Sequence, residues 1–408
     1  MRVLISGASI AGPMLAYWLS WSGADVTVVE RAPTLRKTGG HAVDLFRPSM
    51  EISAKMGVLP RIEALATGTD TMTIHRTGRR RPIRVDLTKL TGAASDQHVE
   101  IMRDDLSEVY YDASRDGAEY VFGDSITAIS PDGEVTFEHA PSRRFDVVVG
   151  ADGLHSNVRR LVFGDEAALT RFIGGYLAVV SAPKSMAHHN EMFGHLGVGR
   201  LAAVYTADHL DDARIVFMFS SKQELEYDYR DAPRQKELLR NAFAVMHPQV
   251  DRWLAELDQT PAFYFDAISQ LQLDTWSRGR VTLVGDAGYC PGPAVGGSTS
   301  LAVIGAYVLA GELAQADGDY QRAFAAYERE MTESVRRSRA FARGAAKTII
   351  PDSRTAVWAL CCGLQLVSLL PASLTTTVAK LNTKGLRMYD SMRVPDYSAV
   401  WQHSHHET

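Results

Sequence analysis

The sequence has 408 residues, with 43 Lys and Arg against 48 Asp and Glu and a formal net charge of −5. That length predicts two or three domains with ample cores, and the faint acidity excludes a global field drawing the chain to nucleic acid or anionic lipid. Apolar residues at 46% and charged residues at 22% exclude disordered, collagen-like and low-complexity chains.

Arg2 and the apolar stretch to Leu19 superficially imitate a secretory leader. Ser6-Gly7 and Gly12-Pro13 interrupt it, and no small-x-small cleavage site follows Trp21. Val3, Leu4 and Ile5 read instead as a strand buried on both faces of a parallel sheet. From Ala11, the residues Met14, Leu15, Trp18 and Leu19 recur with helical spacing, Gly23 ends the helix, and Val26 to Val29 form a second strand closing on Glu30. Residues 3 to 30 therefore make one β-α-β unit.

Its turn reads Gly7-Ala8-Ser9-Ile10-Ala11-Gly12, a G-x-G-x-x-G fingerprint with serine at the middle glycine. Gly7 permits the sharp turn and Gly12 close helix–strand packing, while the middle position lets a pyrophosphate reach the free N–H groups at the helix start. Glu30 stands where an acidic residue accepts from ribose hydroxyls and disfavours a 2′-phosphate, which points to FAD or NAD.

Further along, Arg76, Arg79, Arg80, Arg81 and Arg84 are the strongest local positive charge, read as an exposed hairpin or as an attractor of a phosphate-bearing cosubstrate. Ile101-Met102-Arg103-Asp104-Asp105-Leu106 follows, then Asp146-Val147-Val148-Val149-Gly150-Ala151-Asp152-Gly153-Leu154-His155-Ser156-Asn157-Val158-Arg159. Residues 172 to 182, 191 to 206 and 214 to 220 look strand-like, with Phe172, Tyr176, Phe193, Tyr205, Phe217 and Phe219 among them. The spacing of His188 and His189 does not suggest a metal site, and none is expected. Gly279 to Ala287 contains Val284-Gly285-Asp286-Ala287 and leads through a Gly/Pro-rich stretch into an apolar helix from about Thr299 to Leu313. A basic helix is expected from about Thr332 to Lys347 and an apolar one from Thr355 to Leu370. In the latter region Gln365 and Ser368 speak against a membrane span, so no stable membrane insertion is expected. The tail, with His403, His405 and His406, reads as disordered. Cys290, Cys361 and Cys362 supply neither a disulfide framework nor metal-ligand spacing, which predicts a reducing, cytoplasmic setting.

With three motifs in this order, the sequence resembles the class A flavoprotein monooxygenases, the para-hydroxybenzoate hydroxylase-like family, and within it the tetracycline-inactivating and polyketide hydroxylases, over roughly residues 1 to 350. The resemblance implies an α/β fold: a Rossmann-like FAD-binding domain, discontinuous over 1–70, 98–168 and 270–345, with an antiparallel-sheet substrate domain over 71–97 and 169–269. A bridging C-terminal helix over 346–400 and a disordered tail over 401–408 complete it. FAD would be held by Gly7, Ser9, Ile10, Ala11, Gly12, Glu30, Arg31, Gly40, Asp44, Arg103, Asp152, Asp286, Pro293, Gly296, Gly297 and Ser298. Asp152 would lie near the pyrophosphate, Ser156 would cap the next helix, Arg159 would supply positive charge, and Asp286 would meet the ribityl hydroxyls. Amides at the helix start near Ser298 would stabilise an anionic reduced flavin. The protein would need no acid–base triad, because a flavin hydroperoxide is the oxidant.

The implied substrate is an aromatic or polyketide-like molecule under the antiparallel sheet, near His195, Tyr205, Phe217, Phe219, Pro293 and Ala294, with O2 and NADPH or NADH as cosubstrates and a monomer or dimer as the assembly. No second G-x-G-x-x-G is present for the nicotinamide nucleotide; Gly194-His195-Leu196-Gly197-Val198-Gly199 has the wrong order. Trp18, Trp21, Trp253, Trp276, Trp358 and Trp401 offer no W-x-W halogenase signature. A flavin oxidase or dehydrogenase, or a non-catalytic FAD- or drug-binding protein, remains the alternative. The sequence departs from the family at Gly288-Tyr289, where Ala-His is common, at Gly296-Gly297-Ser298-Thr299-Ser300, where G-x-G-x-N is common, and at Gly305, where an acidic residue is common.

Overall fold

The apolar run Val3–Ile5 becomes the middle of a sheet because both its edges find parallel partners. In the computed structural model, which describes residues 1–35, 39–79, 81–88, 97–293, 297–369 and 384–403, Arg2–Ser6 pairs with Asp25–Glu30 on one side and Val147–Gly150 on the other. Glu119–Phe122 and Val281–Leu283 extend the sheet in parallel, and the short antiparallel Ser277–Arg278 closes it at six strands. Helix Ala11–Trp21 packs between helices Arg103–Ser114 and Ser298–Gln315. The last of these is apolar all round and correspondingly buried.

A second, seven-stranded sheet runs in the order Phe263–Leu271, Thr170–Pro183, Asp212–Ser220, Arg200–Tyr205, Glu191–Gly197, Thr71–Arg76, Ile83–Asp86. Pairing is antiparallel except between Thr71–Arg76 and Glu191–Gly197, which are parallel. The stretch 191 to 206 is two strands, because Gly199 turns the chain at φ 66°. Helices Ala232–Phe243 and Pro248–Ala255 cover one face of this sheet. Between the two large sheets runs an antiparallel ribbon, Ala42–Phe46 against His98–Met102, and a separate three-stranded sheet formed by Ile126–Ile129, Glu134–Phe137 and Arg143–Arg144 packs Ile126, Val135 and Phe137 into the core of the first layer.

The basic helix is longer than expected, Tyr320–Ile349, because Asp319 caps it by accepting from the Arg322 N–H at 3.1 Å. Helix Arg354–Leu369 docks Val357 and Cys361 on Ile74, Ile83 and Val85 of the edge hairpin; Leu370 lies outside the described residues. The chain then returns to the first layer through Lys384–Asp390 and Ser398–His403. The expectation of disorder from residue 401 fails at Trp401, which is 6% exposed with its ring 5.1 Å from that of Trp18. A large indole placed one turn after the buried Tyr397 gains more by docking than by remaining solvated. His405 and His406 lie outside the described residues. Among those residues no helix is long and apolar enough to cross a membrane, and no cluster of His, Cys, Asp and Glu suits a metal ion.

Candidate active site

The three motifs sit at the carboxyl ends of adjacent parallel strands, the place where open α/β sheets bind ligands, and they lock together through their smallest residues. Gly7 has φ 107°, and a Cβ on it would stand 2.6 Å from the Ala151 carbonyl oxygen. A Cβ on Gly12 would stand 1.9 Å from the Gly7 carbonyl oxygen, so helix Ala11–Trp21 starts directly on the turn. Gly285, at φ 65°, faces the methyl groups of Ala11 and Ala302. The Val284 N–H donates to the Gly150 carbonyl at 2.9 Å.

This helix start has no side-chain cap at Ile10, so its first amides are free to face an anion. Glu30 accepts from the N–H groups of Ala8 and Ala32, both at 2.9 Å, which holds its carboxylate beside the turn. Its neighbour Arg31 is exposed. Arg103 begins the helix after the ribbon and donates from Nη2 to Ser9 Oγ at 3.3 Å, placing a guanidinium against the serine that replaces the middle glycine. Gly40 donates its N–H to Asp104 at 3.0 Å and accepts from Arg214 Nε at 3.3 Å. Asp44 meets His98 Nε2 at 2.7 Å.

Two second-motif residues have tasks besides those expected. Asp152 accepts from the N–H groups of Asn157 at 2.8 Å and Val158 at 3.1 Å and from the Ser156 hydroxyl. Its carboxylate therefore caps helix Asn157–Phe163, joined by Ser156, which accepts from the Arg159 N–H at 3.0 Å. Burial raises the Asp152 pKa, and these donors oppose the rise. Arg159, expected to lend positive charge, is fully buried. It donates to the carbonyls of Ala287 and Leu154 and to Glu166, which ties the second motif to the third. Inward orientation, invisible in the motif, makes it a clamp.

In the third motif, Asp286 accepts from Ser298 Oγ at 3.3 Å. Burial raises its pKa and the nearby Arg103 guanidinium opposes that. Gly297, at φ 73°, precedes helix Ser298–Gln315 with no side-chain cap, leaving a second set of free amides. Pro293 is half-buried ahead of this start; Ala294 and Gly296 lie outside the described residues.

Beside the second helix start is a cavity of ≈ 200 Å³. Gly297, Ser298 and Thr299 form one wall, His41, Ala42, Val43, Asp44 and Glu100 of the ribbon another, and Leu177, Met192, Tyr205, Val216 and Met218 of the seven-stranded sheet the third. The Tyr205 hydroxyl accepts from the Ala42 N–H at 2.7 Å and so joins sheet to ribbon. Burial, aided by Arg103, lowers the His41 pKa to about 4, which keeps that imidazole neutral.

Of the expected substrate residues, Tyr205 lines this cavity, Pro293, His195, Phe217 and Phe219 do not, and Ala294 lies outside the described residues. Phe217 and Phe219 point to the opposite face, into the core with Phe243 and Trp253. His195 lies on that side too, with its ring centroid 4.0 Å from that of His247 and its Nε2 3.1 Å from Gln249. Strand parity decides this, since their neighbours Val216 and Met218 face the cavity. His41, Glu100, Leu177, Met192, Val216, Met218 and Thr299 were not singled out in the sequence. The alternation of His98 and Glu100 with buried Val99 and Ile101 was the available signal for a ribbon with a polar side.

Two departures from the family pattern explain each other. A Cβ on Gly305 would stand 1.9 Å from the hydroxyl oxygen of Tyr289. The larger residue at 289 therefore occupies the space released at 305, and Tyr327 donates to its hydroxyl at 3.0 Å. Of the basic hairpin, Arg79, Arg81 and Arg84 are exposed and Arg80 lies outside the described residues.

A parallel sheet with an uncapped glycine turn, an acid held beside that turn and a second open helix start beside a partly open cavity is an arrangement that suits a dinucleotide cofactor. The donor set fits FAD: Glu30 for the ribose and the free amides after Ile10, with Arg103 close by, for the pyrophosphate. The family model for the FAD binding domain matches residues 1–341. An uncharacterized protein of Mycobacterium tuberculosis (strain ATCC 25618 / H37Rv) is 41% identical over 345 residues, covering 82% of this chain and 91% of its own. A flavin-dependent monooxygenase of Legionella longbeachae serogroup 1 (strain NSW150) is 33% identical over 331 residues, covering 80% and 84%. Among solved structures, tetracycline destructase Tet(55) matches with a TM-score of 0.80 at 29% identity, over 97% of this chain and 98% of that one. The chain belongs to the class A flavoprotein monooxygenases, enzymes that depend on FAD.

Proposed function

We propose that this enzyme inserts one oxygen atom of O2 into an aromatic or polyketide-like molecule of the tetracycline type, with NADPH or NADH as the electron donor. The observation that carries this reading is the ≈ 200 Å³ cavity set between the uncapped start of helix Ser298–Gln315 and the apolar wall of Leu177, Val216 and Met218. FAD, reduced by the nicotinamide nucleotide, supplies the activation of oxygen.

The chain supplies the rest. Ser9, Arg103 and the amides following Ile10 hold the pyrophosphate, Glu30 the adenosine ribose and Asp286 the ribityl hydroxyls. Free amides at Ser298 and Thr299 stabilise negative charge on a ring beside them. Leu177, Met192, Val216 and Met218 orient the substrate and exclude water. Without a second dinucleotide turn, the nicotinamide donor visits without a domain of its own. Arg79 and Arg81 on the exposed hairpin attract its phosphates; charge reversal at both raises the KM for NADPH, and an unchanged KM removes that role.

The test is oxidation of NADPH or NADH by the FAD-loaded protein with a panel of phenols, anthraquinones and tetracyclines, followed by mass analysis of product made under ¹⁸O2. One labelled atom per product supports the proposal. Product formed without label supports an oxidase or dehydrogenase, and a yellow protein that oxidises neither nucleotide with any candidate supports a non-catalytic binder.

A further inference from the structure

The ribbon places two carboxylates of like charge directly opposite each other: in its antiparallel register Asp44 faces Glu100. Such a cross-strand pair is destabilising in itself, and here both residues line the cavity. Asp44 is compensated by His98 at 2.7 Å. Glu100 has only a share in that histidine, two residues along its own strand, and its side chain is otherwise held by the Thr67 hydroxyl, which its Oε2 accepts, while its Oε1 has no donor among the described residues. The remaining groups around it are no better suited. The Tyr205 hydroxyl is uncharged and makes no hydrogen bond to Glu100 among the described residues, His41 is held neutral, and Arg214 is engaged by Asp212 and the Gly40 carbonyl. Among the described residues no Lys or Arg lines the cavity. Burial, then Asp44, raises the Glu100 pKa, and the Thr67 hydroxyl and His98 oppose the rise.

Resting on the function proposed above, we infer that the cavity selects substrates carrying a protonated amine, with Glu100 as the specificity-determining residue and the Leu177, Val216 and Met218 wall taking the apolar face of the ring. Aromatic carboxylates are disfavoured, because they would bring a further negative charge against Asp44 and Glu100, which have His98 alone between them.

Two phenols of nearly equal size and opposite charge, 4-hydroxybenzylamine and 4-hydroxybenzoate, test this by titration into the FAD-loaded enzyme in mildly alkaline buffer. The readout is perturbation of the flavin absorbance, which needs bound FAD but no turnover, so a failed monooxygenase reading and a failed selectivity reading are distinguishable. The amine is expected to bind at least about tenfold more tightly than the carboxylate, and Glu100→Gln is expected to bring the two affinities together while the protein retains FAD. Equal affinity in the unmodified enzyme, tighter binding of 4-hydroxybenzoate, or no perturbation by either phenol would overturn the inference. An unaltered ratio in a folded, FAD-containing Glu100→Gln protein would do the same.

Discussion

His155 shows how a single side chain in a cofactor motif can serve the joint between layers. It meets Glu166 at 2.7 Å from Nδ1 and Asp266 at 2.9 Å from Nε2, linking the second motif to the seven-stranded sheet. Burial alone would lower its pKa, but the two carboxylates prevail and push it up to about 10. A folded-state value above the ordinary one means stability that is fully present below about pH 6.5 and lost as the pH climbs towards 10. His155→Asn is therefore expected to reduce unfolding stability by on the order of 2 kcal/mol near pH 6, with the deficit shrinking by pH 10. Urea midpoints at the two pH values check this, and a deficit that grows with pH would contradict it. At Gly305, alanine is expected to cost roughly 1–3 kcal/mol through overpacking. Combining it with Tyr289→Phe should cost less than the sum of the two, since each change affects the same contact.

Among the elements, the first β-α-β unit was the most legible, because burial on both faces, helical spacing and a required glycine all agree there. Gly12→Val is expected to abolish FAD retention on purification, since the Gly7 carbonyl already occupies the space of a side chain; a yellow variant would refute the closeness of that turn. The seven-stranded sheet was readable as strands but not by face. Helices Ala232–Phe243 and Pro248–Ala255 cover the side opposite the cavity, so both faces are apolar and no polar alternation separates Phe217 from Met218. Aromatic content drew attention to the wrong parity. The ribbon carried the needed alternation, yet its partners lie far apart in sequence and only the register brings Asp44 to Glu100. The roles of Asp152 and Arg159 were hidden for a related reason, because a motif fixes residue types and not the direction of a side chain.

Over the whole molecule, the C-terminal segment closes the fold in a way composition did not announce. Tyr389 lies over Gly297, where a Cβ would stand 2.0 Å from its ring carbon Cζ, and stacks on Phe46 at 5.4 Å. Tyr397 covers Gly311 and donates to Glu312 at 2.8 Å. The segment thus braces the helix whose start borders the cavity. Trp401→Ala is expected to cost about 3 kcal/mol by emptying the space beside Trp18 and Tyr307, measured as a lower denaturation midpoint; an unchanged midpoint would mean the return is not part of the cooperative unit. The central claim is that three turns converge on one FAD whose ring meets the cavity at Gly297–Thr299. A crystal structure of the FAD-loaded enzyme tests it most directly. It should show the adenosine ribose hydrogen-bonded to Glu30 and the isoalloxazine edge against the amides of Ser298 and Thr299. A ring lodged away from that helix start, or a ribose out of reach of Glu30, would contradict it.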